Sequence, residues 1–143
     1  MDCRRPRNQS TRPLVLVVDD HDDTREMYVH SLNCFGFEAI EAADCEQAYR
    51  RASEFHPDIV VTDLALRDGE GWQLIQHLRG DKRTQDIPVV VLTGHAAPSL
   101  RERAEHEGCA GFFVKPCLPD DLATELRHVL DRTNGREGVS TSL

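Results

Sequence analysis

Five short apolar runs, separated by segments of helical length, constrain the fold of this chain more than any other feature of its sequence. They are Leu14–Val18, Phe37–Ile40, Ile59–Val61, Val89–Leu92 and Phe112–Val114. Three of them are continuous β-branched or leucine runs without alternation, which is typical of strands buried on both faces of a parallel sheet. The run at Phe37–Ile40 alternates with acidic residues, which predicts a half-exposed edge strand.

The segments between the runs have the period of amphipathic helices. Apolar side chains recur on one side of each segment, in the stripes Ala48–Ala52–Phe55, Trp72–Ile75–Leu78 and Leu122–Leu126–Val129. Strand and helix thus alternate along the chain, which predicts an α/β fold with an open parallel sheet between two layers of helices.

Short polar residues and glycines mark the expected helix ends. The predicted N-terminal caps are Asp22 and Asp23 for the first helix and Asp44 for the second, and the predicted C-terminal caps are Gly36 and Gly108.

The chain of 143 residues is long enough for one domain with one core, which we place at residues 13–132. Residues 1–12 form a basic arm with four arginines, interpreted as disordered, and residues 133–143 are expected to form a flexible tail. The net charge of −8 argues against nucleic-acid binding by the body of the domain. The arm, with Arg4, Arg5, Arg7 and Arg12, is the exception that could touch nucleic acid or an acidic partner.

Nothing in the sequence resembles a membrane span or a signal peptide, so we expect a cytoplasmic protein with no membrane partner. The five cysteines are odd in number and scattered, and they are interpreted as reduced thiols.

Polar side chains follow four of the five predicted strands at their carboxyl ends. They are Asp19 and Asp20 after the first strand, Asp63 after the third, Thr93 after the fourth and Lys115 after the fifth. Each is unremarkable alone, since aspartate after a strand is commonly a helix cap. Ligand sites of open α/β sheets lie at this edge, however, so the combination predicts one cleft. Its charges sum to −2, which one Mg²⁺ would neutralise.

At these positions the chain resembles the receiver domains of bacterial response regulators. The motifs are Val17–Asp20, Ile59–Asp63, Val89–Gly94 and Gly111–Pro116, and the likeness covers about residues 13–131. The resemblance implies a flavodoxin-like (βα)5 fold with strand order 2-1-3-4-5.

The resemblance also implies a role for each residue of the cleft. Asp63 would accept a phosphoryl group from a sensor histidine kinase or a histidine phosphotransfer protein. Asp20 and Asp63 would bind Mg²⁺ directly, with help from Asp19 and from the backbone carbonyl of Ala65. Such a domain is a phosphoacceptor that phosphorylates and dephosphorylates itself, and it is not a turnover enzyme.

The signalling residues implied by the family are Thr93, Lys115 and Phe112. Thr93 and Lys115 would contact the phosphoryl oxygens, and Phe112 would move with Thr93, although a simple core role for Phe112 is an equal alternative. The downstream protein would bind the face of the fourth helix, fifth strand and fifth helix, at about residues 97–131. A homodimer through that face is compatible with the sequence, and the family also implies a cis bond at Lys115–Pro116.

Two departures from the family concern the loop after Asp63 and the water-flanking positions. Leu66-Arg67 stands where Met-Pro is usual, and Glu70-Gly71 where Asp-Gly is usual. The positions that tune dephosphorylation hold Ala65, which cannot orient water, and His95, which could. These residues predict a moderately long-lived phosphoryl group.

Two other function classes are compatible with parts of the pattern. A Mg²⁺-dependent aspartyl-phosphate hydrolase of haloacid-dehalogenase type would also use aspartate, but it needs an Asp-x-Asp motif after its first strand. A flavodoxin-like redox module would need a phosphate loop after that strand, which the sequence lacks.

Overall fold

The computed structural model describes residues 12–95 and 97–142, with side chains described as far as Thr133. Residues 1–11 of the predicted arm, with Arg4, Arg5 and Arg7, lie outside the described residues. Within the described chain, no helix has both the length and the apolarity to cross a membrane.

Five strands and five helices alternate, as the sequence predicts, and a short hairpin is added. The strands are β1 Leu14–Val18, β2 Glu38–Ala42, β3 Ile59–Thr62, β4 Ala65–Leu66, β5 Gly69–Glu70, β6 Val89–Thr93 and β7 Gly111–Val114. The helices are α1 Asp22–Cys34, α2 Cys45–Phe55, α3 Gly71–Arg79, α4 Pro98–His106 and α5 Pro119–Ser142.

The main sheet is parallel throughout, with strand order β2-β1-β3-β6-β7. Counting only its own five strands, this is the predicted order 2-1-3-4-5. In its register, Val18 pairs with Thr62 and Thr93 pairs with Val114. The residues that follow these strands therefore lie at one edge of the sheet.

The sheet is covered on both faces, which explains why its inner strands are buried at every position. Leu16 and Val60 pack on one face with α2, α3 and α4. Val15 and Val61 pack on the other face with α1 and α5. All four side chains are buried, whereas the edge strand β2 is mostly half-buried, as its alternation predicts.

The predicted helix ends are right for three of five residues. The side chain of Asp44 accepts a hydrogen bond from the Gln47 N–H at the start of α2. Gly36 and Gly108 have φ of 96° and 81° just after α1 and α4, a conformation that side chains disfavour. The prediction that Asp22 and Asp23 cap α1 is wrong, because they lie in its first turn and His21 is the capping residue. There they still interact favourably with the helix dipole.

The two ends of the expected domain also differ from the sequence expectation. The Arg12 guanidinium donates hydrogen bonds to the carbonyls of Asn33 and Phe37, so this residue of the predicted arm is docked on the domain. The helix α5 continues to Ser142, through most of the expected tail at 133–143. Extending an existing helix is easier than nucleating one, so weak periodicity does not end it.

The described cysteines, Cys34, Cys45, Cys109 and Cys117, are free thiols. Burial raises the pKa of Cys109 to about 11. Burial, together with Asp68, raises the pKa of Cys45 to about 12. Both side chains therefore stay protonated at neutral pH, in agreement with their interpretation as reduced thiols.

Candidate functional site

Lys115 joins two of the predicted carboxylates at the carboxyl edge of the sheet. Its Nζ donates hydrogen bonds to Asp19 Oδ2 at 2.7 Å and to Asp63 Oδ2 at 2.9 Å. Burial by itself lowers the pKa of Lys115, but the hydrogen bonds and charges of Asp19 and Asp63 outweigh it and raise the pKa. The ammonium is therefore charged at neutral pH and holds two carboxylates, from separate strands, at one place.

The local backbone holds the Asp63 carboxylate on its other side. Asp63 Oδ1 accepts hydrogen bonds from the N–H of Leu64 at 2.6 Å and of Ala65 at 3.3 Å. Gly71 lies against the Asp63 carbonyl, and a Cβ on Gly71 would stand 2.3 Å from that oxygen. The glycine at the start of α3 thus lets the helix approach the strand end that carries Asp63.

The loop after β1 holds the acidic pair in two different ways. Asp19 Oδ1 accepts a hydrogen bond from the His21 N–H at 2.9 Å. Asp20 Oδ1 is buried and has no hydrogen-bond partner. The His21 ring nitrogen Nδ1 lies 3.3 Å from this oxygen, outside hydrogen-bond geometry. A buried carboxylate oxygen without a donor is suited to bind a cation.

The residues that could hold a cation are those of this loop. Ligand atoms of Asp19, Asp20 and His21 all lie within 4.8 Å of one another, and within the described chain no group of three such residues includes Asp63. The resemblance implies that Asp20 and Asp63 share the ion, and this stays a prediction; in the structure Asp63 Oδ2 is paired with Lys115. Ala65 is exposed at the start of β4.

Thr93 and Phe112 occupy the neighbouring strands. Thr93 is fully buried, and its hydroxyl accepts a hydrogen bond from the His95 N–H at 3.3 Å. The Lys115 N–H donates to the Thr93 carbonyl at 2.7 Å. Phe112 belongs to the core on the α4 side, and the Arg101 guanidinium lies 4.9 Å from its ring centre. Its core role is thus observed, and its switch role stays a prediction.

The bond between Lys115 and Pro116 is cis, as the resemblance implies.

Arg25 stabilises the site, although no motif or spacing in the sequence indicates this role. The guanidinium is buried on α1 and donates to the Asp19 carbonyl at 2.8 Å and to the carboxylates of Asp22 and Glu41. Burial lowers the pKa of Arg25, but its two carboxylate partners more than compensate and raise it. In a sequence, a buried charged residue in the first turn of a helix cannot be distinguished from a solvent-exposed one. Only the fold shows that other elements cover Arg25.

Asp68 links the loop after Asp63 to helix α2, and the sequence patterns did not predict this role either. Its two carboxylate oxygens accept hydrogen bonds from the N–H groups of Cys45 at 2.8 Å and Glu46 at 3.2 Å. These bonds lower the pKa of Asp68, and the bond from the Cys45 N–H has the largest effect. The Asp68-Gly69 pair is a known hairpin signal, so the β4–β5 turn could have been predicted from it.

Arg67 lies beside the site, where a proline is usual in the family that the sequence resembles. Its Nη2 is 3.5 Å from the Asp20 carbonyl. The departure therefore places a cation at the rim of the carboxylate cluster.

Comparison with known proteins points to one family. Residues 15–127 match the model described as "Response regulator receiver domain". The phosphate regulon transcriptional regulatory protein PhoB of Escherichia coli is 36% identical over 118 residues, which are 82% of this chain and 52% of PhoB. The response regulator Rre1 of Synechocystis is 34% identical over 119 residues, with the same two coverages. This chain thus spans about half the length of the curated relatives it matches.

The fold has close counterparts among solved structures. The chemotaxis response regulator CheY4 of Vibrio cholerae superposes with a TM-score of 0.77 at 28% identity, over 83% of this chain and 99% of CheY4. A response regulator from Chloroflexus aurantiacus superposes with a TM-score of 0.79 at 27% identity, over 85% and 99%. These likenesses do not favour the hydrolase or the redox module.

Proposed function

The chain belongs to the response regulator receiver domain family of two-component systems, and from that premise we propose that Asp63 accepts a phosphoryl group from a phosphohistidine. The donor would be a sensor histidine kinase or a histidine phosphotransfer protein. One observation carries this proposal: Lys115 Nζ bonds both Asp63 Oδ2 and Asp19 Oδ2 at the edge where the strands end. No single strand could bring these groups together.

The transfer step follows from how Asp63 is held. A carboxylate oxygen of Asp63 attacks phosphorus, the bond from phosphorus to the histidine nitrogen breaks, and the leaving imidazole keeps the electron pair. The Leu64 N–H and the Lys115 ammonium orient the carboxylate from opposite sides. Phosphoryl transfer depends mainly on positioning and on charge stabilisation, so an ionised carboxylate needs no separate base.

The acidic pair fits the Mg²⁺ that this family implies, because Asp20 Oδ1 is buried without a hydrogen bond. Asp19 and Asp20 would hold the ion, with Asp63 and the Ala65 carbonyl completing the set implied by the resemblance. A bound Mg²⁺ would supply charge neutralisation for the phosphoryl oxygens.

Thr93 and Lys115 would convert phosphorylation into a change of shape. The Thr93 hydroxyl would donate to one phosphoryl oxygen, and Lys115 would pair with another. Two charge-assisted hydrogen bonds supply roughly 3–6 kcal/mol. Reversing a 1:99 equilibrium takes about 5.5 kcal/mol, so the bonds suffice for a two-state switch with little excess.

The output of this switch would be a protein-binding surface. Phe112 would follow Thr93, and the face of α4, β7 and α5 would bind the downstream protein, or a second copy of the chain. The domain would act in the cytoplasm as a phosphoacceptor and not as a turnover enzyme. With Ala65 and His95 flanking the site, the phosphoryl group would persist longer than seconds at neutral pH, which decay of the labelled protein measures.

Labelling by acetyl phosphate tests the central claim. We expect Mg²⁺-dependent incorporation of one phosphoryl group per wild-type chain and none in Asp63→Asn. The Asp23→Asn variant, which changes an exposed aspartate in α1, is the matched control and should label like the wild type.

Two outcomes would contradict the proposal. Full labelling of Asp63→Asn would move the acceptor to another residue. Many turnovers of a phosphatase substrate per chain would favour the hydrolase class instead.

A further inference from the structure

His21 directly follows the acidic pair and takes no part in the function proposed above. It is the capping residue of α1, but its side chain makes no capping hydrogen bond. The side chain is 76% exposed, so apolar packing does not account for its position. Its ring is turned toward the carboxylates of the loop.

Three potential ligand atoms meet at this loop. Nδ1 of His21 lies 3.3 Å from Asp20 Oδ1 and 3.6 Å from Asp19 Oδ1. The N–H of His21 is bonded to the same Asp19 oxygen, which ties the histidine backbone to the acidic pair. Nδ1 and Asp20 Oδ1 therefore stand side by side without a hydrogen bond between them, as two ligands of one ion do.

The chemistry of this donor set differs from that of a site built from oxygen alone. Carboxylate, carbonyl and water oxygens suit Mg²⁺, whereas imidazole nitrogen suits transition ions. An imidazole nitrogen next to two carboxylates therefore raises the affinity for a divalent transition ion more than the affinity for Mg²⁺.

We propose that His21 is a ligand of the cation site formed with Asp19 and Asp20, and that it shifts the selectivity of the site from Mg²⁺ toward transition ions that accept imidazole nitrogen, such as Fe²⁺ and Ni²⁺. The inference rests on the proposed function insofar as the same cation assists phosphorylation of Asp63. It concerns the identity of the ion, for which the family resemblance implies Mg²⁺.

Electron paramagnetic resonance of bound Mn²⁺ tests the ligand directly. We expect a nitrogen coupling on Mn²⁺ in the wild-type protein and its loss in His21→Phe. The ratio of Ni²⁺ to Mg²⁺ affinity, from competition, should fall about tenfold in His21→Phe, in line with the usual cost of disturbing a metal site. His106→Phe, which removes an exposed histidine at the end of α4, should leave both quantities unchanged.

The inference is overturned if Mn²⁺ shows no nitrogen coupling in the wild type, or if His21→Phe keeps the affinity ratio of the wild type. Failure of the proposed function is separate from this result. If Asp63 does not label with acetyl phosphate while the nitrogen coupling depends on His21, the phosphoacceptor role fails and the metal ligand stands. If labelling succeeds and no coupling is seen, the metal ligand alone fails.

Discussion

The faces of the central sheet and its carboxyl edge are built from opposite kinds of residue. On the faces, side chains such as Leu16 and Val60 are fully buried among other apolar groups. At the edge, the carboxylates of Asp19 and Asp63 flank the Lys115 ammonium, and Asp20 Oδ1 is buried without a hydrogen bond. Burial of apolar surface stabilises the first region, whereas like charges of the second repel one another.

This contrast indicates that the core stabilises the fold and that the edge is arranged for function at some cost in stability. Stability and activity commonly conflict in this way, because a site complementary to a ligand is strained without it. Substitutions in the two regions should therefore change stability by different amounts, and removal of a repelling charge at the edge should change it with the opposite sign.

The largest expected effect is in the core. The variant Leu16→Ala should lower the free energy of unfolding by about 2–5 kcal/mol, because it removes buried methyl groups and leaves a cavity. Urea unfolding measures this loss. Leu118→Ala is the control, since Leu118 is 62% exposed and the change should stay within about 0.5 kcal/mol. Equal losses in both variants would remove the distinction between core and surface on which the comparison depends.

A smaller loss is expected for Lys115→Met at the edge. Asp19 and Asp63 would lose their shared donor, at a cost of about 1–3 kcal/mol. The exposed lysine of Lys82→Met serves as the control and should be nearly neutral.

The pH dependence of Lys115→Met gives a sharper check. In the wild type the pKa of Lys115 is raised, so the stability that its ammonium contributes is complete at neutral pH and is lost only as the pH climbs through that raised value. The difference in stability between the wild type and Lys115→Met should therefore be full at neutral pH and should shrink in strongly alkaline solution. A difference that stays the same over this range would show that the charge of Lys115 does not stabilise the folded state.

A still smaller loss of stability is expected for a substitution in the β4–β5 hairpin. Asp68→Ala should cost about 0.5–2 kcal/mol, the usual range for a lost capping carboxylate. The pKa of Asp68 is lowered, so this contribution is present above its ordinary pKa and is lost as the pH falls through the lowered value. Asp86→Ala, at another exposed aspartate, is the control. Thermal unfolding at neutral and acidic pH measures both, and an equal effect in the two variants would contradict the tie between hairpin and α2.

The smallest effect has the opposite sign. Asp20→Asn should leave stability unchanged or raise it by up to about 1 kcal/mol, because it removes a repelling charge whose oxygen has no donor. Mg²⁺-dependent labelling should decrease in the same variant. Asp23→Asn should change neither quantity, and a clear loss of stability in Asp20→Asn would show that the edge is not arranged at a cost.

The architecture was predictable because its signals are local and repeated. Continuous apolar runs such as Leu14–Val18 indicate strands covered on both sides, and glycines such as Gly36 indicate helix ends. The strand-end residues Asp19, Asp63 and Lys115 were predictable for a further reason, since the carboxyl ends of parallel strands share one edge. The prediction that Asp22 caps α1 was wrong because the backbone angles decide which residue is the cap, and a shift of one residue changes the answer.

Contacts between distant segments could not be predicted in this way. The Arg25 guanidinium reaches the Asp19 carbonyl across the β1–α1 loop, and Asp68 reaches α2 from the hairpin. Neither contact produces a periodic pattern in the sequence, because each depends on which elements lie next to each other in the folded chain.

By itself, then, the sequence determined the order of elements, the buried faces and the edge at which polar groups collect, since each follows from periodicity along the chain. The tertiary structure alone decided which of those groups bond. It paired Lys115 with Asp19 and Asp63, and it turned His21 toward Asp20. Hydrogen bonds and charge interactions fall off within a few ångströms, so their partners are set by the packing of whole elements and not by spacing in the sequence.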